Sequence, residues 1–194
     1  MLNLDNHQKQ PTETSAQPIP RQKLFVDLIP QTAWFSNLRS ELSAAEWKQV
    51  QNKTFHAAQM KCECCGGIGK KHPVECHERF SYDITTNTQT LIKTLALCPT
   101  CHKTTHFGMA KILGLDGMAI GQLQRVNKWG REQTEQHISQ AFKEWRERNA
   151  IEWKLDARWL SSFISLSEKT NAKINNIYNG TEKRTACSHP VAGL

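Results

Sequence analysis

Residues 61–106 read KCECCGGIGKKHPVECHERFSYDITTNTQTLIKTLALCPTCHKTTH. Cys62-x-x-Cys65 and Cys98-x-x-Cys101 are dithiols of knuckle spacing, and each pair can set two thiolates on one side of a tetrahedral ion. Between them, 74–82 and 90–97 have strand composition around the turn-like 83–87, which predicts a hairpin that folds one knuckle onto the other. A structural zinc on Cys62, Cys65, Cys98 and Cys101 follows. Four thiolates leave it no open position, so this site is scaffold. Cys64 competes with Cys62 and Cys65 as a donor, but only the two-residue gap gives the usual bite, and Cys64 is read as a free thiol. Strand alternation turns Cys76 away from its neighbours Glu75 and His77, toward a role as a small buried apolar group.

The second knuckle leads into a predicted helix over 102–113. His102 and His106 lie four apart on it, so their imidazoles share a face and can grip a second ion. The strand run Glu75-Cys76-His77-Glu78 can turn His77 toward the same helix. Three imidazoles with free coordination positions form a hydrolytic type of metal site. Surface or helix-capping histidines are the plainer alternative for the helical pair.

The runs C62-E-C-C65, V74-E-C-H77-E78-R-F and L97-C-P-T-C-H102-K-T-T-H106 resemble the HNH family of ββα-metal nucleases, in the subgroup stapled by two Cys-x-x-Cys knuckles. The resemblance covers about a quarter of the chain. It implies an α+β fold, a small ββα-metal hairpin-helix module with two zinc knuckles surrounded by α-helices. It also implies metal-dependent hydrolysis of phosphodiester bonds in DNA, with His77 as the strand ligand and His102 and His106 as the helix ligands of a second divalent ion (Mg, Mn, Ni or Zn). Glu75, two residues before the strand ligand, is implied as a carboxylate that orients a ligand. Two departures stand out. The base position directly after His77 holds Glu78 where the family has His, and the Asn that usually precedes the second knuckle is missing from 89–97. Glu78 is therefore the candidate base. A carboxylate can take a proton from water only if burial or other carboxylates raise its pKa, and a nearby cation works against that. His72 and Tyr82 are further candidates for that proton, with an idle loop histidine and a hydrophobic cap on the hairpin as their plainer readings.

Outward from this core, residues 1–23 are rich in Gln, Asn, Thr and Pro and read as a disordered tail. A helical segment occupies 24–60. In it the apolar run Leu24-Phe25-Val26-Asp27-Leu28-Ile29 stops at Pro30, Trp34, Phe35 and Leu38 follow, and Ser43-Ala44-Ala45-Glu46 fits a capping box that opens a helix with Trp47, Val50, Thr54 and Ala58 on one face. The HNH-like module spans 61–113. A helical buttress around one core is expected over 114–166, with Trp129, Trp145, Trp153 and Trp159 as packing residues and a short strand or turn at Trp153 and Leu155. Residues 167–194 read as a polar, mobile tail.

The chain has 194 residues with 25 Lys and Arg against 18 Asp and Glu, a formal net charge of +7 spread without a basic tail. That permits an anionic partner without specifying one. There is no run of apolar residues long enough to span a bilayer and no secretory signal, so a cytoplasmic protein without a membrane partner is expected. Two functional readings remain. In the first the chain is a DNA nuclease. In the second it is a catalytically impaired HNH scaffold, from a phage, plasmid or other mobile element, that binds nucleic acid or a protein as a regulator or inhibitor.

Overall fold

A computed structural model describes residues 23–33 and 38–180. The expected N-terminal tail except for Lys23, together with Trp34, Phe35 and the last part of the expected C-terminal tail from residue 181 on, lies outside the described residues. Among the described residues the fold is mixed α+β. In chain order it contains α1 (Leu38–Glu41), α2 (Ala44–Ala57), β1 (Glu75–Asp83), β2 (Thr88–Leu97), α3 (Pro99–Thr105) and α4 (Phe107–Ile112). These are followed by α5 (Asp116–Asn127), α6 (Arg131–Arg148), β3 (Lys154–Asp156), α7 (Trp159–Phe163) and α8 (Glu168–Asn179).

The capping box forms as read. Ser43 Oγ accepts from Glu46 N–H, and the Glu46 carboxylate accepts from Ser43 N–H at 2.9 Å, starting α2. Its Val50 and Thr54 and the capping Ala58 are buried, while Trp47 is half-buried. Gln59 and Met60, both at positive φ, end the helix and turn the chain into the first knuckle.

β1 and β2 pair antiparallel, with His77 opposite Leu95 and Glu78 opposite Thr94. β3 adds in parallel beside the start of β2, Leu155 opposite Gln89, so the expected hairpin becomes a three-stranded sheet in the order β1-β2-β3. Arg79 faces Lys93 but Phe80 faces Leu91, so Ile92 is an extra residue in β2. The bulge reverses which face the following residues take. Leu95 enters a core with the strap Leu24, Val26 and Leu28, with Phe107 of α4 and with Leu123 of α5. Leu91, four residues earlier and expected on the same face, enters a second core with Cys76, Phe80, Val50, Leu155, Leu160, Ile174 and Ile177.

The sheet therefore has apolar packing on both faces, which corrects the expectation of one core. Trp145 belongs with the first core, and its Nε1–H donates to Ile29 O at 3.2 Å. Trp159 stacks on Phe163 at the second. A second correction concerns the C-terminal segment. Residues 168–179 form α8, capped by Ser167 and held by buried Thr170, Ile174 and Ile177. These three sit on one helical face, and their burial against the sheet outweighs the polar composition around them.

Candidate metal centre

Both donor groups sit where the hairpin meets α3. Cys62, Cys65, Cys98 and Cys101 bring their sulfurs within 4.8 Å of one another. The first knuckle is a turn in which Gly66 N–H donates to Cys62 O at 2.8 Å and Cys62 N–H to Gly67 O at 2.9 Å. Gly66 takes φ +72°, which a side chain would strain. Gly69 is also required, because a Cβ there would lie 2.2 Å from His72 O and 2.6 Å from a Pro99 carbon. Pro99 opens α3 at a position where no backbone N–H is needed. Two donors reach the sulfurs from outside: Gly67 N–H to Cys65 Sγ at 3.4 Å, and the buried Gln122 Nε2 of α5 to Cys101 Sγ at 3.0 Å. N–H groups aimed at sulfur favour thiolate. Contacts among the thiols drive Cys62 strongly toward thiolate, whereas burial pushes Cys98 up to about 11. Four converging sulfurs of this kind suit a tetrahedral zinc ion. Cys64 stays outside the set, buried, with its thiol 3.7 Å from Lys23 O.

The second group is His77, His102 and His106, also with ligand atoms within 4.8 Å of one another. β1 supplies the first and α3 with its end supplies the others. The expected single helix over 102–113 breaks at His106, with φ −82° and ψ 53°, between α3 and α4. The four-residue spacing survives the break, and His106 Nε2 lies 3.1 Å from His102 Nε2. Burial lowers the pKa of His102, and it lowers His106 to about 3, so both imidazoles are neutral and keep a lone pair at neutral pH. His77 is 1% exposed, and neither of its ring nitrogens has a hydrogen-bond partner. An orphaned imidazole beside two neutral ones fits a metal site, because an ion satisfies what the protein leaves unpaired.

The two carboxylates singled out in the sequence separate cleanly. Glu75 joins the site: Oε2 is 2.6 Å from His102 Nδ1, and Oε1 is 2.6 Å from His72 Nε2. Burial works to raise the Glu75 pKa, and these two histidines more than offset it, so the carboxyl stays below its ordinary value. Glu78 does not join. It lies on the opposite face of β1 with Cys76, and its carboxylate accepts from Leu38 N–H at the start of α1, while burial raises its pKa. A base acting on water at the histidines cannot reach through the sheet. Tyr82 is likewise committed elsewhere, its ring against Trp153 and under Arg148, its hydroxyl accepting from Gln89 Nε2.

Sequence reading missed Asp27 and Arg79. Asp27, in the strap that precedes α1, is 6% exposed; its Oδ2 accepts from Arg79 Nη1 at 2.8 Å and lies 3.6 Å from His77 Nε2. Burial would raise its pKa, but His77 and Arg79 hold it below the ordinary value. The available signal was a charged residue inside the apolar run Leu24–Ile29.

Comparison of the chain with family models, with curated proteins and with solved structures gives no match. Fold and donors together define a mixed α+β protein with a four-cysteine group suited to zinc and a separate three-histidine group. No helix among the described residues is long and apolar enough to cross a membrane.

Proposed function

We propose that the chain is an HNH-like, metal-dependent nuclease that hydrolyses phosphodiester bonds, with DNA as the favoured substrate. The observation that carries this reading is the convergence of His77, His102 and His106 beside, but separate from, a four-cysteine group that can hold its own ion. A divalent ion on three imidazoles keeps open positions and supplies Lewis-acid chemistry to a phosphoryl oxygen and to water.

The protein's own part is positional. The four-cysteine group fixes the start of α3 and with it His102. Glu75 accepts from His102 Nδ1–H, which leaves Nε2 as the donor atom facing His106 Nε2. With Glu78 turned to the other face, the proton-accepting place falls to His72, whose half-exposed imidazole is anchored on Glu75. The net charge of +7 favours a polyanionic substrate.

Plasmid nicking in Mg2+, Mn2+, Ni2+ or Zn2+ tests the proposal. Turnover by the wild type that is lost in His102→Ala supports it, and equal background from both with every metal defeats it. The displacement of Glu78 favours one second reading, a scaffold that binds nucleic acid without cleaving it. That reading expects gel-shift binding that weakens with salt and no nicking.

A further inference from the structure

The three imidazoles are not equally held. His102 has a carboxylate on Nδ1, whereas His77, the most buried of them, has no hydrogen-bond partner at all. The anionic atom beside it is Asp27 Oδ2, 3.6 Å from Nε2. Asp27 arrives from fifty residues upstream, on a strap pinned along its length. Leu24 exchanges two hydrogen bonds with the Asn127 amide, at 2.8 and 2.7 Å, and Val26 N–H donates to His137 Nε2 at 2.9 Å. Asp27 N–H donates to Thr105 O at 2.8 Å, a carbonyl freed by the helix break at His106. Arg79 neutralises the carboxylate and lies 3.9 Å over the Phe25 ring, so both are fixed. A buried carboxylate is costly unless paired; the partly buried Arg79 supplies that pair from one side, and the group on its buried side is the His77 imidazole.

We infer that Asp27 is the positioning residue of His77. Its carboxylate takes the Nε2–H of His77 as the imidazole tightens onto an ion, which fixes the tautomer and commits the other ring nitrogen to that ion. Asp27 stands outside the set of atoms that lie within 4.8 Å of one another, so it acts through His77 and not as a further ligand. Each of two ligating histidines then has its own carboxylate, Glu75 from β1 for His102 and Asp27 from the strap for His77. The strap thereby becomes part of the site. This inference rests on reading the three histidines as an ion site.

The test uses the full chain with zinc loaded on its cysteines, and it compares wild type, Asp27→Asn, Arg79→Gln and His102→Ala. Long-range proton–nitrogen correlation spectra report the His77 tautomer, and calorimetric titration reports Ni2+ affinity. The expected result is an Nε2–H tautomer in wild type and Arg79→Gln, a changed or mixed tautomer in Asp27→Asn, and an affinity for Ni2+ lowered by about 10–100-fold in Asp27→Asn. His102→Ala should abolish Ni2+ binding. If His102→Ala does so while Asp27→Asn keeps the wild-type tautomer and affinity, the role of Asp27 is overturned and the ion site stands. If His102→Ala binds Ni2+ like wild type, the ion site falls and the inference falls with it. Should Asp27→Asn fail to fold, a His77 protonated at Nδ1 in wild type and Arg79→Gln overturns the inference by itself.

Discussion

Glu46 is buried at the junction of α2 and α8, and its carboxylate is unusually well supplied with donors. Ser43 N–H and Oγ–H, at 2.9 and 2.6 Å, and the Thr170 hydroxyl at 2.9 Å reach Oε2, while Ser167 N–H reaches Oε1 at 2.9 Å. Burial alone would raise its pKa, but these donors more than offset it and lower the value from 4.5 to about 2. A carboxyl depressed on folding stabilises the protein fully above its unfolded value and loses that contribution as pH falls through the folded one. At 1.36 kcal/mol per pH unit the interval corresponds to roughly 3 kcal/mol, present above pH 4.5 and gone near pH 2. Glu46→Gln keeps the shape and removes the titration. Urea unfolding of both proteins from pH 7 to pH 2 should give a stability difference of roughly 3 kcal/mol at neutral pH that closes toward zero at the acid end. Subtracting one protein from the other cancels the acid sensitivity of the cysteine site, which both share. A difference that stays flat between pH 4.5 and 2, or that is already near zero at pH 7, would refute the reasoning and with it the docking of α8 on α2.

Other substitutions probe the remaining junctions. Glu75→Gln should weaken Ni2+ binding by about 10–100-fold in calorimetry, because His102 loses its carboxylate, whereas Glu78→Gln should leave the affinity unchanged. The opposite ranking would mean that Glu78, and not Glu75, serves the histidines. Ile174→Ala, at a side chain 2% exposed, should cost about 2–4 kcal/mol in urea unfolding, and a cost near zero would show that α8 is not packed on the sheet. Cys101→Ser should lower both zinc content, read by elemental analysis, and melting temperature, because its sulfur anchors α3 and receives Gln122 of α5. Unchanged zinc would remove Cys101 from the metal group.

Much of the centre was legible because its chemistry depends on short spacings. The two Cys-x-x-Cys pairs, the capping box at Ser43 and Glu46, and the four-residue step from His102 to His106 are local patterns, and the geometry keeps them together. Glu78 failed for an instructive reason. The HNH resemblance put the base directly after His77, but neighbours on this strand face opposite ways, and the same alternation that placed Cys76 correctly puts Glu78 with it. The second core was hidden by the extra residue Ile92, which no periodicity announces because it changes the period itself. α8 was masked by Asn and Lys around a narrow stripe of Thr170, Ile174 and Ile177. Asp27 was out of reach because its meaning depends on a contact across fifty residues with His77 and Arg79.

The proposed function requires two separate ion sites, one on the four cysteines and one on the three histidines whose ligand atoms converge. Metal content per chain, measured by native mass spectrometry on protein dialysed against Zn2+ and then freed of loosely held metal, tests it most directly. The account predicts two ions in the wild type and a single ion in His102→Ala/His106→Ala, the survivor being removed only when Cys98 or Cys101 is also replaced. A single ion per chain that is indifferent to both histidine substitutions would contradict it.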